Sequence, residues 1–389
     1  PDLALKPDIS APGGFIYSSY PVEKGGHATL GGTSMASPHV AGAAALVLQA
    51  KPGTPAGEMR SVLQNSADPT LLVIAPVPGL LEPVHRQGAG MVDIDDAILA
   101  TTLVTPGKIA TGESEAGPFV QELTVRNDGS SDVTYDMYFE NAISTSGLTS
   151  DIGWWFSDAG VGFDQESVTV AAGSSAMVQA TIYPASYPDP IFGEDFGPTD
   201  FGLYGGYITM VPQDGGEVLR VPYAGFVGDY QRIEHMTGGG NEFPWLAVLI
   251  EDSYYKVEGP DDWTYSMEGD DVPFFLVHFD HHPEYFEATV YDYDSGKPAH
   301  PVFYTAFEYE YLSRNSTATG FFAFDWDGER IHSNGYNGKG YTKNLTLPVK
   351  DGTYMIKLRA LKANGDPSNP DHWETWTSPG IAIDRPGKK

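Results

Sequence analysis

Two periodicities divide this chain of 389 residues. Up to about residue 102 the apolar positions recur at helical spacing, and from about Leu103 onward they alternate with polar ones as in strands. The longest helical pattern covers residues 35–49. Val40, Ala43, Ala44, Leu46, Val47 and Leu48 make it apolar on nearly every side, which predicts a helix buried on all faces. Pro38 is tolerable there only in a first turn. A second helix is predicted over 56–67, with Met59, Val62 and Leu63 on one face, Thr54 as its cap and Pro55 at its first position. Residues 5–14 read as a short strand ending in a Pro/Gly turn, 15–30 as an irregular loop and 68–87 as a loop. Residues 88–97 read as a glycine turn, a short strand and a helical start.

Beyond Leu103, residues 119–126 alternate and stop at the turn signal Asn127-Asp128-Gly129. Further strands are predicted at 133–139, 167–170, 176–182, 204–210 and 218–226, a spacing that suggests an antiparallel sandwich of immunoglobulin or fibronectin type III kind. A second series follows at 273–279, 286–291, 320–324 and 352–361, separated by aspartate-glycine turns at 292–296 and 325–328.

Composition narrows the function classes. A formal charge of −30 argues against nucleic acid, whose phosphates would be repelled. Without cysteine there are no disulfides and no thiolate-bound metal. With 30 Pro and 45 Gly, the acidity fits a secreted, loop-rich β protein kept soluble by surface carboxylates. No apolar run approaches the length of a membrane-spanning helix. The N-terminus lacks a signal-peptide pattern and opens in mid-pattern, which suggests that sequence precedes it.

The candidate chemistry sits where glycines give way to the long helix, at Gly31-Gly32-Thr33-Ser34-Met35-Ala36. A serine there is either an N-cap or a nucleophile at the helix mouth, where free N–H groups and the positive dipole end can hold an oxyanion. The string from Gly32 to Gly42, Gly-Thr-Ser-Met-Ala-Ser-Pro-His-Val-Ala-Gly, resembles the nucleophile signature of the subtilisin-like serine proteases. Residues 6–13 resemble the Lys-Pro-Asp-Ile-x-Ala-Pro-Gly segment that precedes the serine in that family. The resemblance implies that Ser34 is the nucleophile, that its own amide is one oxyanion donor, and that His39 is structural. Residues 105–228 resemble the fibronectin-type domain that follows the protease domain in lactocepin-type cell-envelope enzymes, and the Asp-Gly-x-Tyr pattern at 351–354 resembles a second such domain.

The family order is Asp, His, Ser, with the first two and an oxyanion Asn well upstream of the serine. Only 33 residues precede Ser34, and His27 lies in Gly-Gly-His-Ala rather than His-Gly-Thr-His, so it is not assigned as the base.

Other constellations are weaker. His278, Asp280, His281, His282 and Glu284 offer zinc-type donors, but their spacing fits no standard site, and a solvated loop is the preferred reading. Asp292, Asp294, Asp325 and Asp327 carry oxygens that calcium could use, against plain hairpin turns. Gly88-Ala89-Gly90 is too short for a phosphate loop. Asn315 and Asn344 head N-glycosylation sequons.

The expected fold is therefore α/β, the C-terminal part of a doubly wound parallel sheet over 1–102, followed by two all-β fibronectin type III-like sandwiches at 103–228 and 229–389. The expected function is that of a secreted serine endopeptidase carrying Ser34 only, with no cofactor assigned. Its partners would be polypeptide substrates and the N-terminal part of its own catalytic domain. The rivals are a non-catalytic adhesion or binding protein built on the sandwiches, and a two-chain enzyme whose other fragment supplies Asp and His. Because a doubly wound sheet lacking most of its strands would expose apolar surface around Ser34, isolated folding is expected only for 105–389.

Overall fold

A computed structural model describes residues 3–73, 79–146, 153–185, 202–333 and 346–387, and these fall into two bodies, 3–229 and 230–387. In the first body two sheets face each other. One carries strands Ser167–Val170, Val133–Asn141, Gly202–Pro212, Leu219–Val227 and Ile109–Glu113 in that order, the last pair parallel and the others antiparallel. The other carries Thr102–Thr105, Phe119–Asn127, Ser175–Tyr183 and Gly160–Phe163. Alternation sends Leu123, Val125, Val178, Ala180 and Ile182 inward from the second sheet, against Met137, Ile208, Met210, Val221 and Tyr223 from the first. The Asn127-Asp128-Gly129 turn crosses between the sheets, pinned by the Asn127 amide, which donates to the Ser131 and Val170 carbonyls.

The pair Gly202–Pro212 and Leu219–Val227 is buried on both faces. Its outward residues Tyr207 and Ala224 pack with Leu5, Leu81, Val84 and Ala142. The helical N-terminal region covers them, through helices α1 (Thr33–Ala50), α2 (Met59–Asn65), α3 (Val84–Gln87) and α4 (Ile94–Leu99). Helix α1 packs through Ala43 and Val47 on Leu63 of α2 and Ala97 of α4, and α2 and α3 rest on the sandwich. Lys51, just past α1, donates to the Ala97 and Ala100 carbonyls that end α4.

Several expectations change. Residues 16–30 are not an irregular loop: Ile16–Ser19 and His27–Leu30 pair antiparallel, and Gly25 and Gly26 take the positive φ that turns the chain. Residues 5–14 form no strand, only a parallel bridge at Ser10–Met91. Thr54 does not cap α2, because its hydroxyl donates to Lys51 and residues 55–58 spend a turn before the helix starts. Helix α1 is not buried all round. Of its 18 residues only Ala43 and Val47 are buried, and Leu46 and Leu48 are 45% and 44% exposed. A parallel sheet flanking α1 does not occur among the described residues.

The second body also has two facing sheets. Strands Ser253–Lys256, Trp245–Ile250, Phe274–Val277 and Phe322–Asp325 form one; the other centres on Tyr285–Asp292 and Gly352–Leu361. Val248, Phe275, Val277 and Phe324 meet Phe286, Val290, Ile356 and Leu358 in its core. No helix among the described residues is long and apolar enough to cross a membrane.

Candidate active site

Ser34 lies in the first turn of α1, and its position is built by backbone. Gly32 adopts φ 145°, open only to glycine, and stands as the N-cap without a side-chain hydrogen bond. Its N–H donates to the Gly13 carbonyl (2.7 Å), and a Cβ on Gly13 would lie 2.8 Å from the Gly32 oxygen. Met35 N–H returns to Gly32 O at 2.9 Å. The Thr33 and Ser34 amides are first-turn donors with no helix carbonyl behind them. Ser34 is exposed, and its hydroxyl caps nothing: among the described residues none hydrogen-bonds its side chain.

The hydroxyl opens on a groove of about 780 Å³ between α1 and the Ile16–Ser19/His27–Leu30 hairpin, lined by Tyr17, Leu30, Met35, Pro38 and Leu46 among others. A second groove, of about 720 Å³, runs along α1 past Ala36, Val40 and Ala44. Tyr17 and Phe15 are 70% and 92% exposed, so the surface around the serine is apolar.

Neither nearby histidine is poised as a base for Ser34. His39 Nδ1 hydrogen-bonds the Met35 carbonyl of its own helix at 2.8 Å. His27 stacks on Tyr17, with ring centroids 5.4 Å apart.

The base of the site is tied to the sandwich. Asp8 meets Lys108 (2.6 Å) and Lys6 (2.5 Å), with Arg60 at 3.9 Å. Burial favours the neutral acid, but these cations outweigh it and hold the carboxyl below its ordinary range. Asn65 accepts from Val104 N–H (2.8 Å) and donates to Arg220 O (3.2 Å). Arg126 forms a bidentate pair with Glu58 at 2.9 and 2.7 Å. Tyr207 Oη donates to Gly88 O at 2.8 Å, and burial pushes that hydroxyl far above the usual phenol range, so it remains a donor. None of these ties was legible in sequence: Lys108 stands in no motif that singles it out, and Asn65 ends an ordinary packing helix.

The histidine-rich segment does not assemble a metal site. His281 Nε2 is engaged by the Tyr230 hydroxyl, and His278 faces the Gly320 carbonyl (2.6 Å) and Asp280 (3.1 Å). The groups of three converging donors among the described residues lie elsewhere, at Asp93/Asp95/Asp96 and Glu113/Glu115/Asp229. At the aspartate turns, Asp292 accepts from Ser295 N–H and Asp327 from Glu329 N–H, as plain turns require. Asn315 is buried with its side chain accepting from Phe279 N–H, which removes it as a glycosylation acceptor. Asn344 lies outside the described residues.

Residues 1–91 match the subtilase family and residues 110–224 an Fn3-like domain. The minor extracellular protease Vpr of Bacillus subtilis is 36% identical over 156 residues, 37% of this chain and 19% of that protein. The PI-type proteinase of Lactococcus lactis subsp. cremoris is 29% identical over 265 residues, 59% of this chain and 13% of its own length. The C5a peptidase of Streptococcus pyogenes is 28% identical over 288 residues, 71% of this chain and 23% of its own. The chain thus spans less than a quarter of the length of each of these relatives.

Proposed function

We propose that Ser34 of this chain, a subtilase-family segment joined to an Fn3-like domain, is the nucleophile of a secreted serine endopeptidase acting on polypeptides. In this reading residues 1–102 are the C-terminal part of the catalytic domain, and 103–228 and 229–389 are fibronectin-like modules. One observation carries the reading: the Ser34 hydroxyl is uncapped and exposed at the mouth of an 18-residue helix, beside a groove and next to its own free first-turn amide.

Ser34 Oγ attacks the scissile carbonyl and a base takes its proton. The oxyanion rests on the Ser34 N–H and the positive end of α1. The C–N bond then breaks as the base returns the proton to the leaving amine, and water releases the acyl group by the same route. His39 and His27 are otherwise engaged, so the base and its orienting carboxylate come from polypeptide other than the described residues. The same polypeptide covers the apolar face that α1 presents through Leu46 and Leu48.

A fluorophosphonate probe tests this on the full chain, alone and mixed with polypeptide carrying the family's Asp and His motifs. Labelling that is lost in Ser34→Ala supports the nucleophile, and labelling only in the mixture places the base outside. No labelling in either sample, with the chain folded, overturns the reading in favour of binding by the sandwiches.

A further inference from the structure

The segment from Leu5 to Gly13 touches the sandwich at one end and the serine turn at the other. At the first end Leu5, 4% exposed, is wedged among Leu81, Val84, Ala142, Tyr207 and Ala224. Lys108 Nζ donates to the Leu5 carbonyl at 2.7 Å and pairs with Asp8 at 2.6 Å. In the middle, Ser10 is held on both sides of its peptide: its N–H donates to Gly90 O and its carbonyl accepts from Val92 N–H, both at 2.8 Å. That 88–92 strip is in turn fixed by Tyr207 Oη on Gly88 O. At the far end the Gly13 carbonyl takes the Gly32 N–H, two residues before Ser34.

Building on the nucleophile reading, we propose that the first sandwich sets the position of Ser34 through this segment, with Lys108 and Tyr207 as positioning residues. Neither touches substrate. Lys108 fixes where the segment leaves the sandwich, and Tyr207 fixes the strip against which Ser10 aligns. Only Ala11 and Pro12 separate Ser10 from Gly13, so a shift at the clamped end is transmitted to the Gly32 turn with little slack. A nucleophile displaced by about 1 Å loses on the order of 100-fold in rate. The sandwich is then part of what aims the serine rather than a spacer behind it.

The test uses the full chain with its activating polypeptide and the variants Lys108→Met, Lys108→Arg, Tyr207→Phe and Arg126→Met. The last breaks a different tie to the sandwich, to Glu58, that does not run through residues 5–13. Two readouts are taken at a temperature where every variant is folded: fluorophosphonate labelling rate with kcat and KM on a peptide, and residue-resolved amide exchange at Gly32. We expect Lys108→Met and Tyr207→Phe to speed Gly32 exchange at least about tenfold and to lower kcat by about 10- to 100-fold with KM nearly unchanged. Lys108→Arg should restore most of both, and Arg126→Met should lower thermal stability while leaving Gly32 exchange at its wild-type rate. If Gly32 exchange in Lys108→Met and Tyr207→Phe changes no more than in Arg126→Met, the proposal is overturned. That exchange result stands even if wild-type Ser34 never labels, an outcome that removes the nucleophile reading separately.

Discussion

Replacing Asn65 with alanine tests whether residues 3–102 and the first sandwich form one cooperative body. Asn65 is 2% exposed, and its amide spends both functions across the junction, accepting from Val104 N–H and donating to the Arg220 carbonyl. Val104 is fully buried, so water cannot replace the lost acceptor. Each buried backbone group left unpaired costs about 1–3 kcal/mol, which puts Asn65→Ala at roughly 2–6 kcal/mol for the two. In a body of this size each kcal/mol moves the midpoint by about 2–4 °C, so a central value near ~4 kcal/mol lowers Tm by about 8–16 °C. Differential scanning calorimetry on the full chain, with tryptic cleavage sites read by mass spectrometry near the midpoint, would show one lowered transition in which segments before and after residue 102 open together. A Tm within about 2 °C of wild type, or a sandwich transition that stays fixed while 3–102 opens alone, would refute the account.

Two further outcomes follow from packing and charge. Gly13→Ala places a Cβ 2.8 Å from the Gly32 oxygen and 3.3 Å from Ala36 Cβ, so it should lower Ser34 labelling at least about tenfold while moving Tm much less than Asn65→Ala does; an unchanged labelling rate counts against the turn as drawn. His235 is fully buried and neutral by its bonding, with Nδ1–H donating to Ile233 O and Nε2 accepting from Ala363 N–H, both at 3.0 Å. Burial lowers its pKa to about 4, so between pH 6.5 and 4 the unfolded chain binds a proton that the native state refuses. Stability of 230–387 is therefore full above about pH 6.5 and falls by up to about 1.4 kcal/mol per pH unit below it. His281, lowered to about 3 by burial and then by the His235 and His282 rings, acts in the same direction. Glu374, raised by burial, opposes both at the acid end, and Lys362 adds a fixed positive charge beside His235. Thermal melts from pH 7.5 to 5 should show a shallower slope in His235→Gln, and equal slopes would remove His235 as the cause.

The strands were readable because each sandwich face is paid in alternation. Residues 119–127 and 175–183 show their buried positions every second residue. Helix α1 was readable in extent for a similar reason, but not in burial. An all-apolar helix says that something covers it, not that the described residues do. The Ile16–Ser19/His27–Leu30 hairpin was hidden by its content, since Tyr, Ser, Pro and paired glycines resemble loop composition until the register Tyr17–Thr29 is seen. Ser34 stood out because a long local string fixes a turn and a helix start together. Lys108, Tyr207 and Asn65 could not stand out, because their hydrogen-bond partners lie 39 to 155 residues away and are backbone atoms, which carry no sequence signature; the Asp8 carboxylate that Lys108 also pairs with is 100 residues away.

The change of composition near residue 102 marks a change of secondary structure and not a separation of bodies. A sheet whose central pair is buried on both faces cannot leave Tyr207 and Ala224 to water, and Leu5, Leu81 and Val84 supply the cover. The N-terminal region thereby has two unlike sides. The side built from Leu5, Asn65 and α3 is saturated by contacts to the sandwich. Helix α1, held off the sandwich by α2 and α4, keeps Leu46, Leu48 and Ser34 open. A lone apolar face would mark a packing surface, and a lone exposed serine would mark a cap. Both together, with the serine amide free and the turn beneath it braced through Gly13, are what the proposed nucleophile requires of a surface that further polypeptide would complete.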